Sequence, residues 1–166
     1  TNDDLGFTHT RYKQYYKNIP VEGADYIAHE RSGGLDCING LLFKLNNISV
    51  IPSLSENEAL KKALTYVGAK KYMWENIAHI TELREAFNDP NFNFNPSGKL
   101  VIYPKNNEFI ESADFRLAYK FNIYAVEPES RAYIYVDAKT GEIIGRQDLI
   151  HTADVQGSAT TRYSGV

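Results

Sequence analysis

From Phe115 to Ala125 the chain alternates, with Phe115, Leu117, Tyr119, Phe121 and Ile123 on one face. A period of two marks a strand with one side against a core. Lys99 to Tyr103 is a shorter strand, stopped by Pro104. Ala132–Asp137 and Glu142–Asp148 flank Ala138-Lys139-Thr140-Gly141, a hairpin loop whose glycine can take the left-handed position. After Ile150 the pattern dissolves into His151-Thr152-Ala153-Asp154, then small and polar residues to Val166.

The middle of the chain changes period. Leu60, Ala63, Leu64 and Val67 recur at helical spacing, and Gly68 ends the run. Ser55-Glu56-Asn57-Glu58 fits a capping box, with Ser55 as the cap and Glu58 reaching back. A second helical stretch is expected between about Lys70 and Asn88, with Met73, Ile77, Ile80 and Phe87 on a rough common face and Asp89-Pro90 closing it. Asn91 to Pro96 is a connector rich in Asn, Phe and Pro.

The first block reads as strands. Phe7 to Lys17 is rich in Thr, Tyr and long polar residues, Ile19-Pro20-Val21-Glu22-Gly23 interrupts it, and Ala24 to Glu30 resumes. Ser32-Gly33-Gly34 is a turn, and Leu35–Asn39 and Leu41–Leu45 give further strand around Gly40. The prediction is an α+β fold of two small antiparallel-sheet subdomains with helices packed between or against them. Its parts are a β subdomain over 1–50, a helical segment and connector over 51–96, a β subdomain over 97–150 and a linker over 151–166.

Composition narrows the function. The chain has 166 residues, 43% hydrophobic and 23% charged, enough to build a core and stay dissolved. Net charge is −3, so there is no basic excess to meet nucleic-acid phosphates. Twelve Tyr and eight Phe favour β structure. No apolar run approaches the roughly 18–20 residues that span a bilayer. No signal peptide is visible, and Thr1 stands where a Met would begin a reading frame, which is compatible with a leader removed or left out. The chain is expected to be a monomer.

The search for catalytic chemistry starts at Ala28-His29-Glu30-Arg31-Ser32-Gly33, which begins like the zinc-protease signature HExxH. That signature needs two histidines four apart on one helical face. Here Gly33 holds the second position, Gly34 follows, and the preceding residues read as a strand. His9, His29, His79 and His151 have no metal-like spacing, and no CxxC, P-loop, Rossmann or nucleophile-elbow motif occurs. Asp3/Asp4, Glu56/Glu58 and Glu127/Glu129 are carboxylate pairs at a terminus, a helix start and a turn, where solvated acids are expected. Tyr12, Tyr15 and Tyr16 read as sheet packing, and Cys37, the only cysteine, as a small buried residue beside a turn. No catalytic or metal-binding residue is assigned.

Two stretches carry a family resemblance. Gly6 to Ala24, with Arg11, Gln14, Tyr15, Pro20-Val21 and Gly23, followed by His29 and Asn39-Gly40, resembles the fungalysin/thermolysin propeptide motif. Asn18 stands where a Gly is usual, which leaves the local turn type open. Leu117-Ala118-Tyr119-Lys120 and Tyr135-Val136-Asp137-Ala138-Lys139-Thr140-Gly141-Glu142-Ile143 resemble a PepSY domain, whose fold is cystatin-like. In this order they are similar to the proregion of a thermolysin-type zinc metallopeptidase precursor. Val155 to Gly165 resembles the first strand of the mature enzyme in that family.

The resemblance implies an inhibitor and folding chaperone acting in cis on its own catalytic domain, secreted by a bacterium and removed by proteolysis. No cofactor is expected in this chain; zinc, with calcium as a possible second ion, would belong to the catalytic domain beyond it. The processing or cleft segment would include Ile150, His151, Thr152, Ala153 and Asp154. Either that leg passes near the cleft, with His151 or Asp154 toward the zinc, or it is a flexible linker. Arg11 and Gln14 fall on opposite strand faces and pair either with backbone or with the catalytic domain. The other reading is a free-standing PepSY-type module that binds peptides or proteins.

Overall fold

The computed structural model describes Asp3 and residues 6–150. The strands are β1 (Phe7–Tyr16), β2 (Ile19–Arg31), β3 (Gly34–Gly40), β4 (Lys71–Tyr72), β5 (Lys99–Pro104), β6 (Phe115–Glu127), β7 (Glu129–Asp137) and β8 (Ile143–Asp148). The helices are α1 (Glu56–Val67) and α2 (Ile77–Phe87). The α+β class is as expected. The described strands form one eight-stranded sheet in the order β1-β2-β5-β6-β7-β8, with β3 on β2 and β4 on β6. The pairs within β1–β3 and within β4–β8 are antiparallel, and one parallel bridge, Val21 to Ile102, joins the two groups.

That bridge explains why Ile19–Gly23 is not an interruption. Tyr16 pairs with Ile19 across the two-residue loop Lys17-Asn18. Both loop residues have positive φ, 47° and 66°, the condition of the hairpin turn that matches strand twist. Asn tolerates this conformation well, so Asn18 does the work of a glycine. The strand then runs unbroken to Arg31. Gly23 bends it at φ +70°, and a Cβ there would sit 2.6 Å from the Phe109 ring.

The segment after Gly40 is not a strand, contrary to expectation. Leu41 donates its N–H to the Asp25 carbonyl, 3.0 Å away. Phe43 is then held by a side chain rather than by a neighbouring strand, as described below.

Helix α1 forms as its capping box predicts. The Glu58 N–H donates to Ser55 Oγ at 3.3 Å, and the Ser55 N–H donates to Glu58 Oε2 at 2.8 Å. Gly68 caps the other end at φ 63°. Ala59 and Ala63 are fully buried against β6 and β7, with Leu60, Leu64 and Val67 at the margins. Leu117, Tyr119, Phe121, Ile123, Ile134 and Val136 supply the facing sheet surface.

The second helix starts later than the pattern suggests. Lys71 and Tyr72 pair with Glu127 and Ala125 of β6, and a 3-10 turn covers Met73–Glu75. Tyr72 stacks on Trp74 at 4.4 Å. Asn76 then caps α2 by accepting the His79 N–H at 3.3 Å. Pairing with the end of β6 outcompetes the extra helical turn. Of the expected face, only Ile80 is buried, while Ile77 and Phe87 are exposed.

Candidate functional site

The propeptide-like residues of the first block sort into anchors and surface. Gln14 lies at a break in the β1–β2 register, between Lys13 and Tyr15. Its Nε2 donates to the Phe43 carbonyl at 2.7 Å, and its Oε1 accepts the Phe43 N–H at 2.9 Å. Gln14 therefore pairs with backbone. It drives the Phe43 ring into the core, against Phe115 at a centroid distance of 4.7 Å. Val21 is buried at the parallel bridge. Gly40 closes β3, and a Cβ there would collide with Asp25 and Tyr26. Arg11 and Tyr15 are exposed. His29 pairs across the strands with His9 on one side and Cys37 on the other. Cys37 is exposed, not buried as expected, because β3 lies at a sheet edge.

In the last block Asp137 is the organising side chain, only 2% exposed. Its Oδ1 accepts the N–H groups of Lys139 and Thr140 at 2.7 and 2.9 Å, and Oδ2 accepts Arg116 Nη1 at 3.3 Å. Gly141 sits at φ +74°, as its hairpin position predicts. The Arg116 guanidinium also grips Asp114 at 2.6 Å, which holds its proton more tightly than usual. The loop capped by Asp137 presents Ala138, whose carbonyl accepts the N–H groups of Ser53 and Leu54. Tyr119 donates to the Leu54 carbonyl at 3.1 Å, so both motif residues fasten the approach to α1. Leu117 is buried beneath it.

Tyr135 faces away from α1. It stacks on Tyr103 at 3.7 Å and donates its hydroxyl to Glu22 Oε2 at 3.2 Å. The Lys120 ammonium reaches the same oxygen at 2.9 Å and lies 4.1 Å from the Tyr133 ring centroid. Burial, then the nearby Glu22 carboxylate, raises the Tyr103 phenol to about 12 and pushes Tyr135 up as well. Both phenols are therefore protonated at neutral pH. Glu22 comes from β2, whereas Lys120 and Tyr135 come from β6 and β7. This contact seals the two antiparallel groups together. Beside it lies a cleft of about 380 Å³ edged by Lys13, Tyr15, Lys99, Lys120, Asn122 and Tyr133.

A run of exposed aliphatic side chains lies elsewhere. Leu35, Ile38, Leu41 and Leu42 are each more than half exposed, along the β3 edge and the segment after it. At the other end of the sheet β8 stops at Asp148, and the Leu149 N–H donates to the Arg131 carbonyl at 2.7 Å. Ile150 is the last described residue; His151, Thr152, Ala153 and Asp154 lie outside the described residues. Among the described residues no three of His, Cys, Asp and Glu converge to hold a metal ion.

Residues 53–147 match the family described as Peptidase propeptide and YPEB domain. The chain belongs to the PepSY family. Residues 1–40 of this PepSY protein also match the Fungalysin/Thermolysin Propeptide Motif. The chain is similar to Bacillolysin of Bacillus amyloliquefaciens, 30% identical over 163 residues that cover 97% of this chain and 28% of the relative. It is similar to Thermolysin of Alicyclobacillus acidocaldarius, 28% identical over 158 residues, 93% of this chain and 26% of the relative. A Hemagglutinin/proteinase of Vibrio cholerae is 24% identical over 157 residues, 92% of this chain and 22% of that protein. The PepSY chain thus spans about a quarter of the length of these relatives. It is homologous to the propeptide regions of the first two.

Sequence reasoning singled out Gln14, Tyr135 and Asp137 but missed their partners. Phe43, Glu22, Tyr103 and Arg116 lie far away in sequence from the residues they hold.

Proposed function

We propose that this PepSY chain is the proregion of a secreted bacterial thermolysin-type zinc metalloprotease. It holds the catalytic domain inactive in cis and assists its folding, and proteolysis then removes it. The observation that carries this reading is the order of the two propeptide matches, 1–40 and then 53–147, on one continuous sheet. The Val21–Ile102 bridge and the Glu22–Lys120–Tyr135 contact make both halves one body. Such a body can present a wide surface without ordering costs on docking.

The exposed leucines and isoleucine along β3 supply apolar area for that surface. Covalent linkage gives the proregion a high effective concentration, so modest contact suffices to occlude a cleft. Cutting near residues 150–154 removes that advantage. Zinc, and calcium where present, belong to the catalytic domain in this reading.

The test is direct. Purified fragment 1–166 is added to the mature protease, and cleavage of a small peptide is followed. Micromolar fragment is expected to slow cleavage, and refolding of the denatured protease is expected to recover more activity with the fragment present. Undiminished cleavage at micromolar fragment sinks the inhibitor role. A reading frame that stops at Val166, without a following HExxH, sinks the cis arrangement and leaves a free-standing binding module.

A further inference from the structure

The β1–β2 pairing places His9 and His29 directly opposite each other, 20 residues apart in sequence. Their Nδ1 atoms are 2.7 Å apart and the rings meet nearly at right angles, at 78°. Each ring is also gripped at its far nitrogen. His9 Nε2 lies 3.0 Å from Asp3 Oδ2, and His29 Nε2 lies 3.3 Å from Asn39 Nδ2.

With both imidazoles neutral, these contacts fix the tautomers. A carboxylate only accepts, so His9 carries its hydrogen on Nε2 and its Nδ1 bears a lone pair. His29 must then donate from Nδ1, leaving its Nε2 to accept from the Asn39 amide. The hydrogen bonds run in one direction, from Asn39 through His29 and His9 to Asp3. Only one hydrogen fits between the two Nδ1 atoms.

We propose that the His9–His29 pair binds one divalent transition-metal ion of the kind imidazole prefers, such as Ni²⁺, Cu²⁺ or Zn²⁺, through both Nδ1 atoms, with water completing the shell. Metal–nitrogen bonds of about 2.0–2.1 Å at a tetrahedral angle put the two nitrogens about 3.3 Å apart. The pair opens by about 0.6 Å to admit the ion. The His29 hydrogen moves from Nδ1 to Nε2 through solvent, and the Asn39 amide turns to present its oxygen. No proton is lost from the pair. Asp3 and Asn39 then hold both rings from behind, as carboxylate and amide partners do for metal-ligating histidines. His9 is 27% exposed at its side chain, which leaves a path for the ion. Asp3 lies ahead of β1, so the ion would tie the start of that strand to β2.

The inference is independent of the proregion reading and is tested on the chain alone. NiCl₂ and ZnCl₂ are titrated into fragment 1–166 by calorimetry, with the melting temperature followed in parallel. One ion per chain is expected, with a melting temperature that rises with metal concentration, since an ion bound only to the native state stabilises it. His9→Gln and His29→Gln, which keep a polar amide at each site, should each weaken binding by at least about tenfold. They should also abolish the metal-dependent rise. Cys37→Ser should leave binding intact. Equal binding by the histidine variants, or loss of binding in Cys37→Ser alone, overturns the site. Circular dichroism of both glutamine variants before metal addition excludes loss of fold as the cause.

Discussion

The side-chain amide of Gln14 forms a two-point pair with the backbone of Phe43, donating at 2.7 Å and accepting at 2.9 Å. An amide side chain here copies the edge of a strand. It lets an irregular segment satisfy its backbone while the Phe43 ring is buried.

Gln14→Ala removes both bonds and leaves the Phe43 N–H and carbonyl without these partners. At about 1 kcal/mol per bond the expected loss is about 2 kcal/mol, read as a lower urea midpoint. Gln14→Glu should not rescue it, because a carboxylate faces the Phe43 carbonyl where a donor is required. Unchanged stability in both variants would remove the anchor role.

Asp137 separates loop capping from charge pairing. Asp137→Asn keeps one acceptor for the Lys139 and Thr140 N–H groups but weakens the contact to Arg116. Asp137→Ala loses all three. The alanine variant should be destabilised by about 2–3 kcal/mol, and the asparagine variant by less. Hydrogen exchange at Lys139 and Thr140 should rise in the alanine variant and stay slow in the asparagine one.

Alkaline stability follows from Tyr103. Its phenol is raised from 10.0 to about 12, first by burial and then by Glu22. A raised value means that the native state holds its proton longer than the unfolded chain. The contribution is complete below pH 10 and is lost as pH rises toward 12. Unfolding midpoints should therefore fall across that window. Tyr103→Phe should flatten the fall, since the variant has no phenol to ionise there. An identical slope in both proteins would contradict the assignment.

Ile38 tests the proposed docking edge. It is 54% exposed on β3, so Ile38→Asp should leave the fold and melting temperature nearly unchanged. Inhibition of the mature protease should weaken by about tenfold or more, the effect of losing a buried contact at an interface. Full inhibition by a folded Ile38→Asp fragment would move the contact surface elsewhere.

Local chemistry determined much of this protein. The alternation from Phe115 to Ile123, the Ser55–Glu58 box, Gly68 and the loop ending at Gly141 each state their element within a few residues. Periodicity and capping are short-range, so no tertiary information was needed to read them. The order of motifs likewise pointed to the family.

Tertiary structure decided what short range could not. Lys71 and Tyr72 left a helix-like run to pair with β6, and Leu41–Leu45 lost its strand because Gln14 supplied the bonds instead. His9 and His29, without useful spacing in the sequence, became a facing pair, because strand register, not sequence distance, sets which side chains meet. Glu22 found Lys120 and Tyr135 only once the two strand groups joined at Val21 and Ile102. A hydrogen bond across a hundred residues depends on which strands become neighbours, and that is settled by the packing of the whole chain.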